Sequence, residues 1–469
     1  NGWETAQVAY AQALATTLIG KSIEDIVPQL RVFAHSPGGL IASSIVSALE
    51  QALTDLRAKD KGVPVHATLG KSLRQSIPVY ANINRGARDR SPGGIAQSAR
   101  DAVAGGFAAV KIAPFDGVYF GDADTAALDK KISLGIERVH AIRDAVGPDV
   151  KVIVDCHWRF DEAAAQYVMR ELKAAKLYWL ECPVSENPGY YATLGRLRTE
   201  TGTLGMKLAG AERQVSATGF APFIEDHLLD VVMPDIKYAG GYAEMLKIAA
   251  LCADRNVSFS PHNPTGPVCN LASMHLCVVA PAFLILEHQL AESPLYFDVV
   301  GGYRPKIVDG CFELPDAPGI GVELEDAVLG ADETIRGKER EHHVGGPLGE
   351  LQFAADRRLV RRMRREPREK IDMDERGVEQ VHGVKAIAVA VERERVGGRR
   401  AGQFEHRAML RAGMIFSSHR WARGTTDGKV LIRKAGMQEL PLSLAIQFLS
   451  SCLPDSPLCL FCAHLWRKT

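Results

Sequence analysis

The chain has 469 residues, room for two or three domains, and 46% of them are hydrophobic, as in ordinary globular proteins. Lysine plus arginine equals aspartate plus glutamate at 56 each, so no net field favours nucleic acid or a membrane surface. No apolar run is long enough to span a bilayer and no basic-then-apolar leader opens the chain. Cys156, Cys182, Cys252, Cys269 and Cys277 read as reduced core thiols, which fits a cytoplasmic protein.

Residues 1–75 read as helices. SSIVSALEQALTDLRAKD sets Ile45, Leu49, Ala52, Leu53 and Leu56 on one face, and Gly62 and Pro64 then break the helix. From Ile77 the pattern alternates. SIPVYANI is a strand, GGIAQSARDAVAGG a helix and FAAVKIAP a strand. A long amphipathic helix follows, with Leu134, Ile136, Val139, Ile142 and Val146 near helical spacing. Alternation runs through LILEHQL at 284–290, giving eight candidate strands and seven helices between them. This α/β pattern requires a parallel sheet, and eight units favour closure into a (β/α) barrel over 76–327. No G-x-G-x-x-G follows a strand, which argues against a nicotinamide or flavin domain.

From about residue 328 the sequence changes character. RRLVRRMRREPREK (357–370) and ERERVGGRR mark an atypical Arg-rich extension, expected to be poorly ordered. A nucleic-acid-binding tail, a solvated extension and a stretch foreign to the ancestral protein all remain open. Sparse aromatics and the lack of a nucleic-acid motif count against the first. Cys459 and Cys462, with His464 nearby, lack the second ligand pair of a zinc site.

Chemistry concentrates at the strand ends. KVIVD-C-H closes on Asp155 and His157, LYWLE on Glu181, KLAGAE on Glu212, DVVMPD on Asp235 and VSFSPH on His262. A parallel barrel turns all these ends to one face, so the side chains are expected to converge. Asp155, Glu181 and Glu212 supply three hard oxygen ligands, which suit Mg²⁺ better than zinc. An aspartate beside a histidine fixes its tautomer and raises its basicity, so Asp235 makes His262 a candidate general base. Lys111 closes the second strand as a base or electrostatic partner, and Glu287 ends the eighth. His157, two residues past Asp155, shares its face and can reach a bound substrate.

These residues resemble the enolase superfamily, in its mandelate racemase/muconate lactonizing enzyme-like branch, over about residues 2–327. The metal triad of that family maps onto Asp155, Glu181 and Glu212, and its Asp–His dyad onto Asp235 and His262. SALEQALTDLRAKDKGVPV looks like the last helix of the capping domain, NGWET like its third strand, with the preceding strands absent, and FELPDAPGIGVEL like the closing segment. DCHWR and SPHNPTGPV resemble acid-sugar dehydratases of the galactonate type. The K-x-K of the second strand is here Lys111-Ile-Ala113, and the acidic pair of the fourth is Glu181-Cys182.

The resemblance implies a truncated α+β capping domain over 1–75 and a Mg²⁺-dependent lyase of sugar-acid catabolism. It implies that His262 takes the proton α to the carboxylate, that His157 protonates the departing β-hydroxyl, and that Lys111 stabilises charge. Glu287 would hydrogen-bond the enediolate or supply a proton. The expected partner is a small-molecule carboxylate, in a homo-oligomer that binds neither nucleic acid nor membrane. Two alternatives stand: a racemase or epimerase using Lys111 and His262 on opposite faces of the α-carbon, against which Ala113 weighs, and a chain that binds metal without turning over.

Overall fold

The computed structural model describes residues 4–34, 39–119, 125–293 and 295–325. The extension expected over 328–469, with Cys459, Cys462 and His464, lies outside them. Three helices come first, α1 (Glu4–Leu18), α2 (Ile23–Ala34) and α3 (Gly39–Asp60), followed by a short α4 (Val65–Leu69). The stretch expected as a strand at NGWET is described only from Glu4, where it already opens α1. Alternation then begins: β1 (Ser76–Asn82), α5 (Pro92–Ala104), β2 (Ala109–Ile112), α6 (Thr125–Val146), β3 (Lys151–Asp155), α7 (Glu162–Glu171), β4 (Trp179–Glu181) and α8 (Tyr191–Leu204). It continues through β5 (Lys207–Gly210), α9 (Ser216–Glu225), β6 (Val231–Val232), α10 (Tyr242–Asp254), β7 (Ser258–Phe259), α11 (Pro267–Val279) and β8 (Leu286–Gln289). Four short strands end the described chain: β9 (Val300–Gly302), β10 (Ile307–Val308), β11 (Cys311–Glu313) and β12 (Val322–Leu324).

The eight central strands are parallel, with β8 beside β1 and the order then running in sequence to β7. Between β7 and β8 there is no ladder. A single parallel bridge, Phe259 with Phe283, spans that seam: the Phe259 N–H donates to Ala282 O and the Leu284 N–H to Phe259 O, both at 2.9 Å. The barrel expected from eight units is thus a continuous ladder on seven seams and one bridge on the last. On that seam β7 offers two residues, Ser258 and Phe259, and Phe259 makes the bridge.

Alternation along the strands sorts the core into two layers. One side chain per turn of the pleat faces the sheet's interior, where Tyr80, Ala109, Ile153, Trp179, Ala209, Val231, Met233 and Ile285 form a plug, with Tyr80 and Trp179 edge to face at 5.6 Å. The opposite faces pack against the helices in one large apolar cluster. In α6, Ile136, Val139 and Ile142 are buried as expected, whereas Leu134 is exposed and Ile132 takes its place.

Helix α3 departs further from its pattern. Ile45 and Val46 pack with Leu14, Leu18 and Leu30 of α1 and α2, while Leu53 and Leu56 are only partly covered. The other face is polar and deeply buried: Ser43, Ser47, Glu50, Gln51 and Asp55 bind the backbone of two loops. Ser43 Oγ donates to Tyr238 O, Ser47 Oγ accepts from the Gly240 N–H at 3.0 Å, and Asp55 Oδ1 accepts from the Ile320 N–H at 2.7 Å. Among the described residues, no helix is long and apolar enough to cross a membrane. The five cysteines named from the sequence are buried and free.

Candidate active site

The site is the layer immediately above the plug. Two residues beyond six of the eight plug residues stands a polar one: Asn82 after Tyr80, Lys111 after Ala109, Asp155 after Ile153, Glu181 after Trp179, Asp235 after Met233 and Glu287 after Ile285. That spacing is the strand period, so the polar residues inherit the inward direction. Strand β5 breaks the count. Its plug residue is Ala209, yet its acid is Glu212, three residues on, because Ala211 is left-handed with a φ of 70°.

Oxygen atoms of Asp155, Glu181 and Glu212 all lie within 4.8 Å of one another, and all three side chains are buried. Burial pushes the Glu181 carboxyl up to about 8 against the pull of Lys111, with Asp155 and the other acids adding to the rise. Burial likewise raises Glu212. Asp155 goes the other way: burial opposes its charge, but the His157 imidazole and the Lys111 ammonium hold it well below the usual carboxylate range. Glu212 Oε2 accepts no hydrogen bond among the described residues, although His262 Nε2 lies 3.2 Å away. Three buried carboxylates, one with an orphaned oxygen and all with hard donors only, fit a divalent cation of the hard class.

His262 Nδ1 lies 2.9 Å from Asp235 Oδ2. Asp235 is itself fixed by the Lys237 N–H, which donates to Oδ1 at 2.8 Å. Burial disfavours the charged His262 ring, but Glu212 and Asp235 outweigh it and lift the ring to about 9. His157 is the more open of the two histidines, its side chain 38% exposed, with Nε2 at 2.9 Å from Asp155 Oδ2. Asp155 raises it despite partial burial. Lys111 Nζ sits between two carboxylates, 2.9 Å from Glu181 Oε1 and 2.7 Å from Glu287 Oε1, which keeps the ammonium charged.

Glu287, expected to hydrogen-bond the enediolate or supply a proton, lies in this layer beside Lys111. Both its oxygens are engaged, Oε1 by Asn82 Nδ2 at 2.7 Å and by Lys111, and Oε2 by the Asn263 N–H at 2.8 Å. Burial opposes its charge, but Lys111 and these donors lower its carboxyl. It holds Lys111 and the Asn263 loop in place.

A cavity of about 200 Å³ opens over this layer, lined by Lys111, Asp155, His157, Glu212 and His262. That is small beside typical drug-sized pockets of about 300–1,000 Å³, and its wall is polar rather than aromatic, so it suits a small hydrophilic molecule. Ala113 and Pro264 also line it, as do Asn82, Asn84, Arg85, Lys237 and Tyr238. The strand-end reading passes over these because it follows acids and histidines. Lys237 was within reach of it, since it stands two residues past Asp235. Two buried supports also escape it. The Trp179 indole N–H donates to Glu181 Oε2 at 3.0 Å, and Glu186 Oε1 accepts the Ala211 N–H at 2.7 Å. Alternation could have found Trp179; no spacing rule points to Glu186.

Residues 94–328 match the family described as enolase C-terminal domain-like. Among curated proteins, the chain is similar to a D-gluconate dehydratase from Thermoproteus tenax, 31% identical over 304 residues, which cover 65% of this chain and 58% of that protein. It is also similar to a D-galactonate dehydratase from Xanthomonas euvesicatoria, 30% identical over 332 residues, 68% of this chain and 82% of that protein. Among solved structures, a mandelate racemase/muconate lactonizing enzyme from Jannaschia sp. aligns with a TM-score of 0.62 at 29% identity, covering 70% of this chain and 85% of its own. An enolase superfamily member from Salmonella Typhimurium aligns with a TM-score of 0.61 at 28% identity, over 69% and 86%.

Proposed function

The chain belongs to the enolase superfamily, and from that premise we propose that it is a lyase, a Mg²⁺-dependent dehydratase of a sugar acid such as an aldonate or aldarate. It would remove the proton α to the carboxylate and eliminate the β-hydroxyl, giving a 2-keto-3-deoxy acid. The observation that carries this reading is the pair of histidines with separate carboxylate partners, His262 on Asp235 and His157 on Asp155, facing one cavity beside the acid triad.

Asp155, Glu181 and Glu212 would hold the cation, which when bound supplies Lewis-acid stabilisation of the charge that builds on the substrate carboxylate. Asp235 accepts the Nδ1 proton of His262, which turns Nε2 toward Glu212 and the cavity. Nε2 would take the α-proton in the unprotonated ring, which is favoured once Glu212, the group that most raises it, is engaged as a ligand. His157, raised by Asp155, carries a proton at the cavity wall and gives it to the departing hydroxyl. Lys111 stays protonated between Glu181 and Glu287 and contributes fixed positive charge. A lysine so paired is a poor second base, which with Ala113 counts against the racemase or epimerase alternative. Residues 1–75 are read as the capping segment of the same protein.

A panel of aldonates and aldarates, supplied with Mg²⁺ and assayed for α-keto product, tests the proposal. Accumulation of a 2-keto-3-deoxy acid is expected with at least one member. An epimerised product would instead assign an isomerase, and cation binding without turnover on any member would assign a non-catalytic chain.

A further inference from the structure

We propose that Glu186 is a positioning residue for the acid triad: its buried carboxylate locks Ala211 in the left-handed turn that brings Glu212 inward. The argument rests on the triad reading above for its purpose but on separate contacts for its geometry. Ala211 and the last residue of β5, Gly210, are where the strand period fails. Had alternation continued past Ala209, the inward position would fall to Ala211, and Glu212 would face away from Asp155 and Glu181. A left-handed Ala211, with φ of 70°, shifts the count by one. That conformation is unfavourable for a residue with a Cβ and persists only where its surroundings enforce it.

Glu186 is the enforcing contact. Its Oε1 accepts the Ala211 N–H at 2.7 Å, and the carboxylate lies so close to the strand that a Cβ on Gly210 would stand 2.3 Å from Oε1. Gly210 leaves the space the carboxylate fills. The same oxygen is 3.5 Å from Cys182 Sγ, directly after Glu181. Cys182 is also left-handed, with φ of 46°, as are His157 at 47° and Trp158 at 56°. The Trp158 N–H donates to Cys182 O at 2.6 Å, and the Cys182 N–H donates to Ala209 O at 3.0 Å. Three strand ends that each present a site residue thus leave their regular paths in one connected patch. Glu186 ties the two of them that carry Glu181 and Glu212, from a loop that contributes nothing to the cavity wall.

Three variants test this. Glu186→Asp withdraws the carboxylate by one methylene, Glu186→Ala removes it, and Glu186→Gln keeps an acceptor oxygen at the same reach. Mg²⁺ and Mn²⁺ affinities are measured by titration calorimetry without substrate, and amide exchange of the segment around Ala211 is followed by mass spectrometry with chelator present. Removal of an outer support to a metal ligand typically weakens affinity about 10–100-fold. The Asp and Ala variants are expected to lose affinity on that scale and to exchange faster around Ala211, while Gln stays within about threefold of the parent. If Ala fails to fold, the Asp–Gln contrast decides. Parent-like affinity and exchange in the Asp variant would overturn the proposal, as would a Gln variant as impaired as Ala. A parent chain that binds neither cation would instead sink the triad reading, and the exchange measurement, which needs no metal, would still judge the clamp.

Discussion

His262 and His157 stand in one cavity, but one is 12% exposed on Asp235 and the other 38% exposed on Asp155. That difference separates two events: loss of the α-proton and departure of the hydroxyl. With His262→Asn, both α-proton exchange with D₂O and dehydration should fall, since elimination needs the proton removed first. With His157→Asn, dehydration should fall while exchange persists, because the α-proton can still leave and return. Each loss should be on the order of 10²–10⁴-fold. The measurement is deuterium incorporation by NMR beside α-keto product. A His157→Asn chain that dehydrates at the parent's rate would reduce that residue to a neighbour of Asp155. At this scale, the sequence discloses what ends an apolar run: Asp155, Glu181, Glu212, Asp235 and His262 are visible because strand ends converge. Glu287 is visible too, but not that Asn82, Lys111 and the Asn263 N–H engage both its oxygens. Arg85 and Lys237 are missed because a cation after a strand resembles any solvated residue.

Elements are legible where one face is apolar and the other wet, and α3 is neither. Its pattern of Ile45, Leu49, Ala52, Leu53 and Leu56 predicts a single buried stripe, whereas the helix is clasped on two sides. The side against the barrel uses polar groups because it meets backbone, not side chains: the loop that follows Asp235 and the segment near Ile320 both donate N–H groups to it. Glu50 is the clearest case. Its Oε2 accepts the Tyr242 N–H at 2.7 Å and its Oε1 the Ala243 N–H at 3.1 Å, so a carboxylate from α3 caps the N-terminus of α10. Gly241, at φ of 85°, makes room, since a Cβ there would come within 3 Å of that carboxylate. Glu50→Ala should lower stability to urea by about 1–3 kcal/mol, the scale for stranding buried donors of a charge-assisted bond. Glu50→Gln, with one acceptor oxygen left, should lose less. Equal midpoints for all three chains would show that α3 does not hold this loop. Periodicity cannot reveal such a contact, because the partner is the backbone of a loop about 190 residues away.

Across the whole molecule, the alternation of strand and helix from Ile77 is enough to foresee a parallel sheet in sequential order, because each unit must bury its strand beneath its own helix. The last seam was not foreseeable. Its bridge pairs Phe259 with Phe283, a residue ahead of β8, and an apolar run does not reveal where on it the pairing falls. This architecture has an energetic consequence: β3, β4 and β5 are neighbours, so folding itself forces Asp155, Glu181 and Glu212 together in a buried layer. Burial and mutual repulsion there, which raise Glu181 and Glu212, oppose the native state, and a cation that binds only the native state offsets that cost. One hundred times its dissociation constant of free cation adds about 2.7 kcal/mol. At about 2–4 °C per kcal/mol for a domain of this size, the thermal midpoint should rise by roughly 5–10 °C from chelator to saturating Mg²⁺. Glu212→Gln removes one of the opposing charges while keeping the side chain's shape. In chelator it should melt no lower than the parent, and in Mg²⁺ it should melt lower, so the order of the two chains inverts. Scanning calorimetry of both proteins in both buffers reads this without any substrate. Parent midpoints indifferent to Mg²⁺, or a Glu212→Gln chain that gains as much from the cation as the parent does, would remove the triad from the function assigned to it.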